Sequence, residues 1–191
     1  EEGGTLAVHL GIDALRRGYH ARLHSFNLQV FDPSWSDWPM DRLDGALAAR
    51  AAVKSDPRLL ESIEAYRTFI RAGGVVDLSD ISADLLERYF DRRLPVLAGL
   101  SATFLYGGPR ERVDTAGSRM LFDDIAGEPQ GHFVVLCGFD GPHVVVADPF
   151  EENPSGDHYY PVEVDRLIHA ILLGVLTYDG NLLVLGRDEA P

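Results

Sequence analysis

Gly131-His132-Phe133-Val134-Val135-Leu136-Cys137-Gly138-Phe139-Asp140-Gly141-Pro142-His143-Val144-Val145-Val146-Ala147-Asp148-Pro149 reads as two β-rich arms around a turn. β-Branched and aromatic residues dominate both arms, and Asp140-Gly141 is a hairpin signal. Drawn symmetrically about Asp140, the hairpin opposes Leu136 to Val144, Val134 to Val146 and His132 to Asp148. Opposed residues share a face, with Cβ atoms roughly 4.5–5.5 Å apart. The spacing therefore sets an imidazole beside a carboxylate at the open end of the hairpin. A slip of one residue separates their faces, so the reading depends on register.

Such a pair suits two tasks. A carboxylate accepting from one ring nitrogen fixes the tautomer and leaves the other nitrogen free as a base. The same pair also serves as a structural ion pair that closes the hairpin. Cys137, the only thiol, stands five residues from His132 on the same arm, so alternation sends it to the opposite face. It reads as a buried, inert core thiol. Ser101 and Thr103, on the preceding extended segment, line a cleft beside the pair, with Tyr106 as a third substrate-binding candidate. Ser101 lies in no nucleophile-elbow sequence.

Outward from the hairpin, the C-terminal half reads as extended. Residues 95–106 form a strand candidate, 107–130 a polar loop that covers the cleft or is merely mobile, and 149–157 a second loop. A helix over 162–172 and a strand over 181–185 follow. The first half reads as helical. Thr5 caps a helix over 6–17, residues 19–31 are extended, and helices follow over 41–53 and 57–72. Asp56 caps the second of these, with Pro57 in its first turn. A short strand over 75–78 precedes a helix opened by Ser82. Helices first and antiparallel strands second indicate an α+β fold. Trp35 and Trp38 read either as a peptide-binding wall or as core anchors. His9, His20 and His24 lack a third converging ligand and read as surface histidines, so no metal site is expected.

The 191 residues carry 17 Lys+Arg against 30 Asp+Glu, a net charge of −13. That balance disfavours a nucleic-acid partner, since phosphate affinity needs clustered cations. One cysteine excludes an intrachain disulfide and fits a cytoplasmic, reducing compartment. No apolar run nears the roughly 20 residues of a membrane span. No phosphate loop or dinucleotide fingerprint is present, so no cofactor is expected. The chain opens Glu1-Glu2-Gly3-Gly4-Thr5 without an initiator Met, which fits processing or a fragment of a longer chain.

His132-Phe133-Val134-Val135-Leu136, the turn, and Val144-Val145-Val146-Ala147-Asp148-Pro149 together resemble the signature around the general base of the C39 and C39-like cysteine peptidases. This bacterial family of papain-like fold includes the transporter domains that trim double-glycine leader peptides from bacteriocins. Gly3-Gly4-Thr5 and Leu15-Arg16-Arg17-Gly18-Tyr19-His20-Ala21 resemble the helix and strand downstream of the family's catalytic helix. The resemblance spans residues 1–31 and 94–185. It implies a single domain over 1–191: helix and strand in 1–31, a helical insertion over 32–93, and an antiparallel sheet in 94–191 carrying the pair. On it, a helical N-terminal half packs on a C-terminal antiparallel sheet.

The resemblance also makes His132 the general base and Asp148 its orienting partner. The family's nucleophilic Cys and oxyanion-hole Gln fall before residue 1, and Gln130 is on the wrong element to replace the latter. A peptide or protein substrate is implied, and either a missing N-terminal segment or a partner chain would cover the cleft. The long stretch 41–93 departs from the transporter domains and leaves the substrate class open. A non-catalytic peptide-binding module of the same family is the alternative.

Overall fold

Asp56 accepts the N–H of Leu59 and Ser82 that of Leu85, so two helices begin where their capping residues stand. The structure, a computed structural model, describes residues 6–114, 116–117, 119–177, 180–187 and 191. Its elements in chain order are α1 (Ala7–Arg16), β1 (His20–Ser25), α2 (Met40–Ala51), α3 (Pro57–Arg71), β2 (Val75–Asp77), α4 (Ala83–Asp91), β3 (Val96–Ser101) and α5 (Ala102–Tyr106). There follow β4 (Glu111–Val113), β5 (Met120–Phe122), β6 (Gly131–Asp140), β7 (His143–Ala147), β8 (Tyr159–Glu163), α6 (Val164–Leu173) and β9 (Asn181–Gly186). The cap assigned to Thr5, and the glycines beside it, lie outside the described residues.

The extended segment expected over 19–31 ends as a strand at Ser25, and three further stretches depart from the expected elements. The apolar run 95–106 is half strand and half helix, because the Ser101 hydroxyl accepts the N–H of Phe104 and starts α5 inside it. A short apolar run carries no periodicity that separates the two. The loop 107–130 contains the ribbon β4–β5. β8 was hidden by Pro161, which normally argues against a strand. It lies at the sheet edge, where a missing N–H costs no ladder bond.

Seven strands form one sheet in the order β2-β1-β9-β3-β6-β7-β8. The class is α+β, but the sheet is mixed and is not confined to the C-terminal half. β1 pairs antiparallel with β9 and parallel with β2. A parallel neighbour requires a crossover, and α2 and α3 supply it. Thus residues 20–25 and 75–77 complete a sheet whose centre comes from the C-terminal half.

Helices cover both faces. Leu23 and Leu183 pack with Leu43, Leu47, Ile63 and Phe69 under α1–α3. The Phe69 ring lies against Gly11 and Gly74, where a Cβ would come within 2.7 and 2.5 Å of it. On the other face Val96, Ala98, Leu100, Val134, Leu136, Val144 and Val146 alternate inward against Leu86, Leu167 and Ile171 of α4 and α6. Each fully buried Leu, Val or Ile contributes roughly 1.5–3 kcal/mol. Trp35 and Trp38 stack at 5.5 Å, and the Arg42 guanidinium lies 3.6 Å from the Trp38 ring centre. Trp38 is therefore engaged by both Trp35 and Arg42, and Trp35 packs against the α1–α3 core.

His24 corrects the surface assignment given to it. It is fully buried, between Tyr89 of α4 and Asp77 of β2. Nε2 and the Tyr89 hydroxyl share a hydrogen bond at 2.7 Å. Nδ1 stays 3.6 Å from Asp77 Oδ1 and lacks a hydrogen-bond partner. Burial is the main cause holding its pKa down at about 4, and the Asp77 charge only partly offsets it. Between pH 6.5 and 4 the unfolded chain therefore takes up a proton that the folded chain refuses, so stability falls as pH falls. The loss is on the order of 3 kcal/mol across that window. Urea unfolding at stepped pH checks it: His24→Leu should flatten the dependence, and an unchanged slope would refute it.

Candidate functional site

The β6–β7 hairpin does not have the symmetric register drawn from its sequence. Asp140 pairs with His143, Phe139 with Val144 and Gly138 with Val145, around a two-residue tip. Beyond Cys137 the pairing shifts, and Leu136 meets Val146 while Val135 meets Ala147. Cys137 is thus the extra residue of a β-bulge. Continued outward, the register sets Asp148 opposite Val134, with His132 on the diagonal.

The bulge decides which face His132 occupies. In the register of the tip, Asp148 would oppose Val135 and His132 would point through to the other face. The extra residue restores parity, so His132, Val134, Leu136, Val144, Val146 and Asp148 share one face. Diagonal neighbours lie within reach of long side chains, and the contact is direct: His132 Nε2 to Asp148 Oδ1 is 2.8 Å. Both residues expected at the site are brought together, by a register other than the expected one.

Bulging also corrects the reading of Cys137, which is exposed rather than buried. Five strand residues from His132, at about 3.3 Å each, place it roughly 16 Å away along β6. It does not reach the imidazole.

The Asp148 carboxylate is enclosed, with its side chain 0% exposed. Oδ1 accepts from His132 Nε2–H and from the Phe150 N–H at 2.9 Å. Oδ2 accepts from two tyrosines, Tyr106 at 2.7 Å and Tyr160 at 2.6 Å. The main chain is held as well: Asp148 N–H donates to the His158 carbonyl, and His158 Nδ1–H returns a bond to the Asp148 carbonyl at 2.9 Å. Burial alone raises the carboxyl pKa. The donors, Tyr160 and His132 foremost, outweigh it and hold the group below the ordinary carboxylate range. Burial and the nearby carboxylate push both tyrosines far above the usual phenol value, so they remain donors.

With Nε2–H given to Asp148, Nδ1 carries the free lone pair, and it has no hydrogen-bond partner among the described residues. The ring is 22% exposed, walled by Tyr106 and Phe150 at centroid distances of 6.1 and 6.3 Å. Leu100 of β3 lies directly opposite it. The arrangement can accept and return a proton at Nδ1 on one open side. Asn153 knits the loop after β7, donating to the Phe150 and Asp157 carbonyls.

Ser101 and Thr103 are tied to structure. Ser101 caps α5, and Thr103 accepts the N–H of Gln130, fastening α5 to the start of β6. Tyr106 reaches Asp148 from the last turn of α5, whose terminal carbonyls at Phe104 and Leu105 accept from Arg166. Tyr160, His158 and Phe150 were not singled out from sequence. The only signal for Tyr160 is its place in a short apolar run beyond Asp148. No cluster of three metal-ligating side chains occurs among the described residues, and no described helix is long and apolar enough to cross a membrane.

Asp148→Asn should destabilise the fold by about 2–4 kcal/mol, because an amide nitrogen at Oδ1 or Oδ2 faces donors instead of accepting them. Chemical denaturation measures it. Cys137→Ser should change stability by less than about 0.5 kcal/mol. The native thiol should react with Ellman's reagent at the rate of an unfolded cysteine; a protected thiol would contradict the bulge.

No family model matches the chain, and no curated protein matches it. Among solved structures, a candidate C39-like peptidase from Bacillus anthracis is similar at a TM-score of 0.34 and 17% identity. The match covers 58% of this chain and 49% of that one, so the chain spans about half the length of that structure.

Proposed function

We propose that the protein carrying these 191 residues is a C39-like cysteine peptidase of papain-like fold, folded as one domain, acting on peptide or protein substrates. The observation that carries this reading is the 2.8 Å bond from His132 Nε2 to the enclosed Asp148 carboxylate, which leaves Nδ1 free on an open side. The hairpin sequence around the pair, with its resemblance to the family's general-base segment, supports it.

Nδ1 takes the proton of a thiol, and the thiolate attacks a peptide carbonyl carbon. A carbon–sulfur bond forms, the carbon–nitrogen bond breaks, and the imidazolium returns its proton to the departing amine. Water, deprotonated by the same nitrogen, then cleaves the thioester and restores the thiol. An amine in place of water gives acyl transfer. Asp148 holds the ring and stabilises the imidazolium. Cys137 is on the wrong part of β6, so this reading takes the nucleophile, and the oxyanion donor with it, from outside residues 1–191.

The test uses the natural full-length protein and an unfolded peptide mixture, with cleavage read by mass spectrometry. Turnover should require a thiol and should fall about 10³-fold in His132→Ala and about 10²-fold in Asp148→Asn. Cys137→Ala should leave it unchanged. Cleavage that survives His132→Ala, vanishes in Cys137→Ala, or is absent from the wild type would overturn the reading.

A further inference from the structure

We infer that Tyr106 and Tyr160 are positioning residues that act through Asp148: by donating two hydroxyls to Oδ2 they hold the carboxylate with Oδ1 toward His132 and weaken it as a base, which sets the basicity of His132. The inference rests on the reading of His132 as the general base, and it gives Tyr106 a task other than touching substrate.

The geometry separates the two carboxylate oxygens by function. Oδ2 is taken up by the two tyrosines, at 2.7 and 2.6 Å, and Oδ1 by His132 and one backbone N–H. A carboxylate can accept about four hydrogen bonds, and here all four positions are filled. The donors come from four places in the chain: the end of α5, the start of β8, β6 and the residue after Pro149. Turning the carboxylate plane away from this orientation breaks bonds on both oxygens at once.

Each O–H donor spreads the negative charge over oxygens that would otherwise bear on the imidazole. A bare enclosed carboxylate 2.8 Å from the ring nitrogen favours the imidazolium strongly. Two phenols on the far oxygen lessen that pull. The groups facing the pair are Tyr106 from α5, Tyr160 from β8, Phe150 and the His158 ring, which is spent on the Asp148 carbonyl. Among these side chains, only the two tyrosine hydroxyls donate to the carboxylate without adding a charge.

The decisive measurement is the titration of His132 by ring-nitrogen NMR, in the wild type and in Tyr106→Phe, Tyr160→Phe and the double variant. Phenylalanine keeps the ring and removes only the donor. The upper apparent pKa of the His132–Asp148 pair should rise in each single variant, and by on the order of one unit in the double. In the active full-length protein the acid limb of the pH–rate profile should move with it. Replacing either tyrosine by 3-fluorotyrosine, a stronger donor, should move the pKa the opposite way, which a packing role would not. This arm also stands if a phenylalanine variant fails to fold. An unmoved His132 titration in folded variants, or a shift of the same sign for fluorotyrosine as for phenylalanine, overturns the inference and leaves the peptidase reading intact. The predicted shifts in a protein without thiol-dependent cleavage would keep the tyrosines' role and remove that reading.

Discussion

The Asp148 carboxylate is where four separate parts of the chain meet. Its two oxygens collect donors from β6, from α5, from β8 and from the backbone at Phe150. An enclosed carboxylate without those partners would cost several kcal/mol, so the surroundings must be in place before the charge is tolerable. Ser101 starts α5, Arg166 closes it, Thr103 ties it to β6, and Asn153 shapes the loop after β7. Each of these contacts, though none is made by the His132 ring, bears on where one carboxylate points.

A second His–Asp pair shows what the first has been given. His24 and Asp77 are neighbours in register across β1 and β2, yet their closest approach is 3.6 Å and the imidazole is sealed from water. Its free energy goes into disfavouring the imidazolium. His132 keeps one edge exposed and has a charged acceptor at hydrogen-bond distance on the other. The same two residue types thus make a buried neutral ring in one place and a partly exposed, carboxylate-bonded ring in the other. The difference lies in access and in the carboxylate's other partners.

Much of this was legible in the sequence. Caps at Asp56 and Ser82 and the apolar arms of β6 and β7 follow from local chemistry, and the sequence names His132 and Asp148 as partners, though through a register the structure does not have. The register did not, because one bulged residue has no signature distinct from the strand around it. Cys137 was misplaced for the same reason: alternation assumes a regular ladder. β8, and Tyr160 with it, hid behind Pro161, whose cost depends on whether a strand is central or at an edge. Burial of His24 on β1 depends on α4, which follows nearly 60 residues later, so its local sequence reads as surface. In each case the missing information was tertiary.

The bulge at Cys137 also bears on how the hairpin can change length. The tip and the bulge each shift the pairing by an odd step, and only together do they return His132 to the face of Asp148. Insertions or deletions between the two residues are therefore coupled. A single residue gained or lost at the tip reverses the orientation of every side chain beyond it, unless the bulge is lost or duplicated at the same time. Length variants of this hairpin that keep the dyad should come in compensated pairs, a frame rule imposed by the pleat rather than by the chemistry.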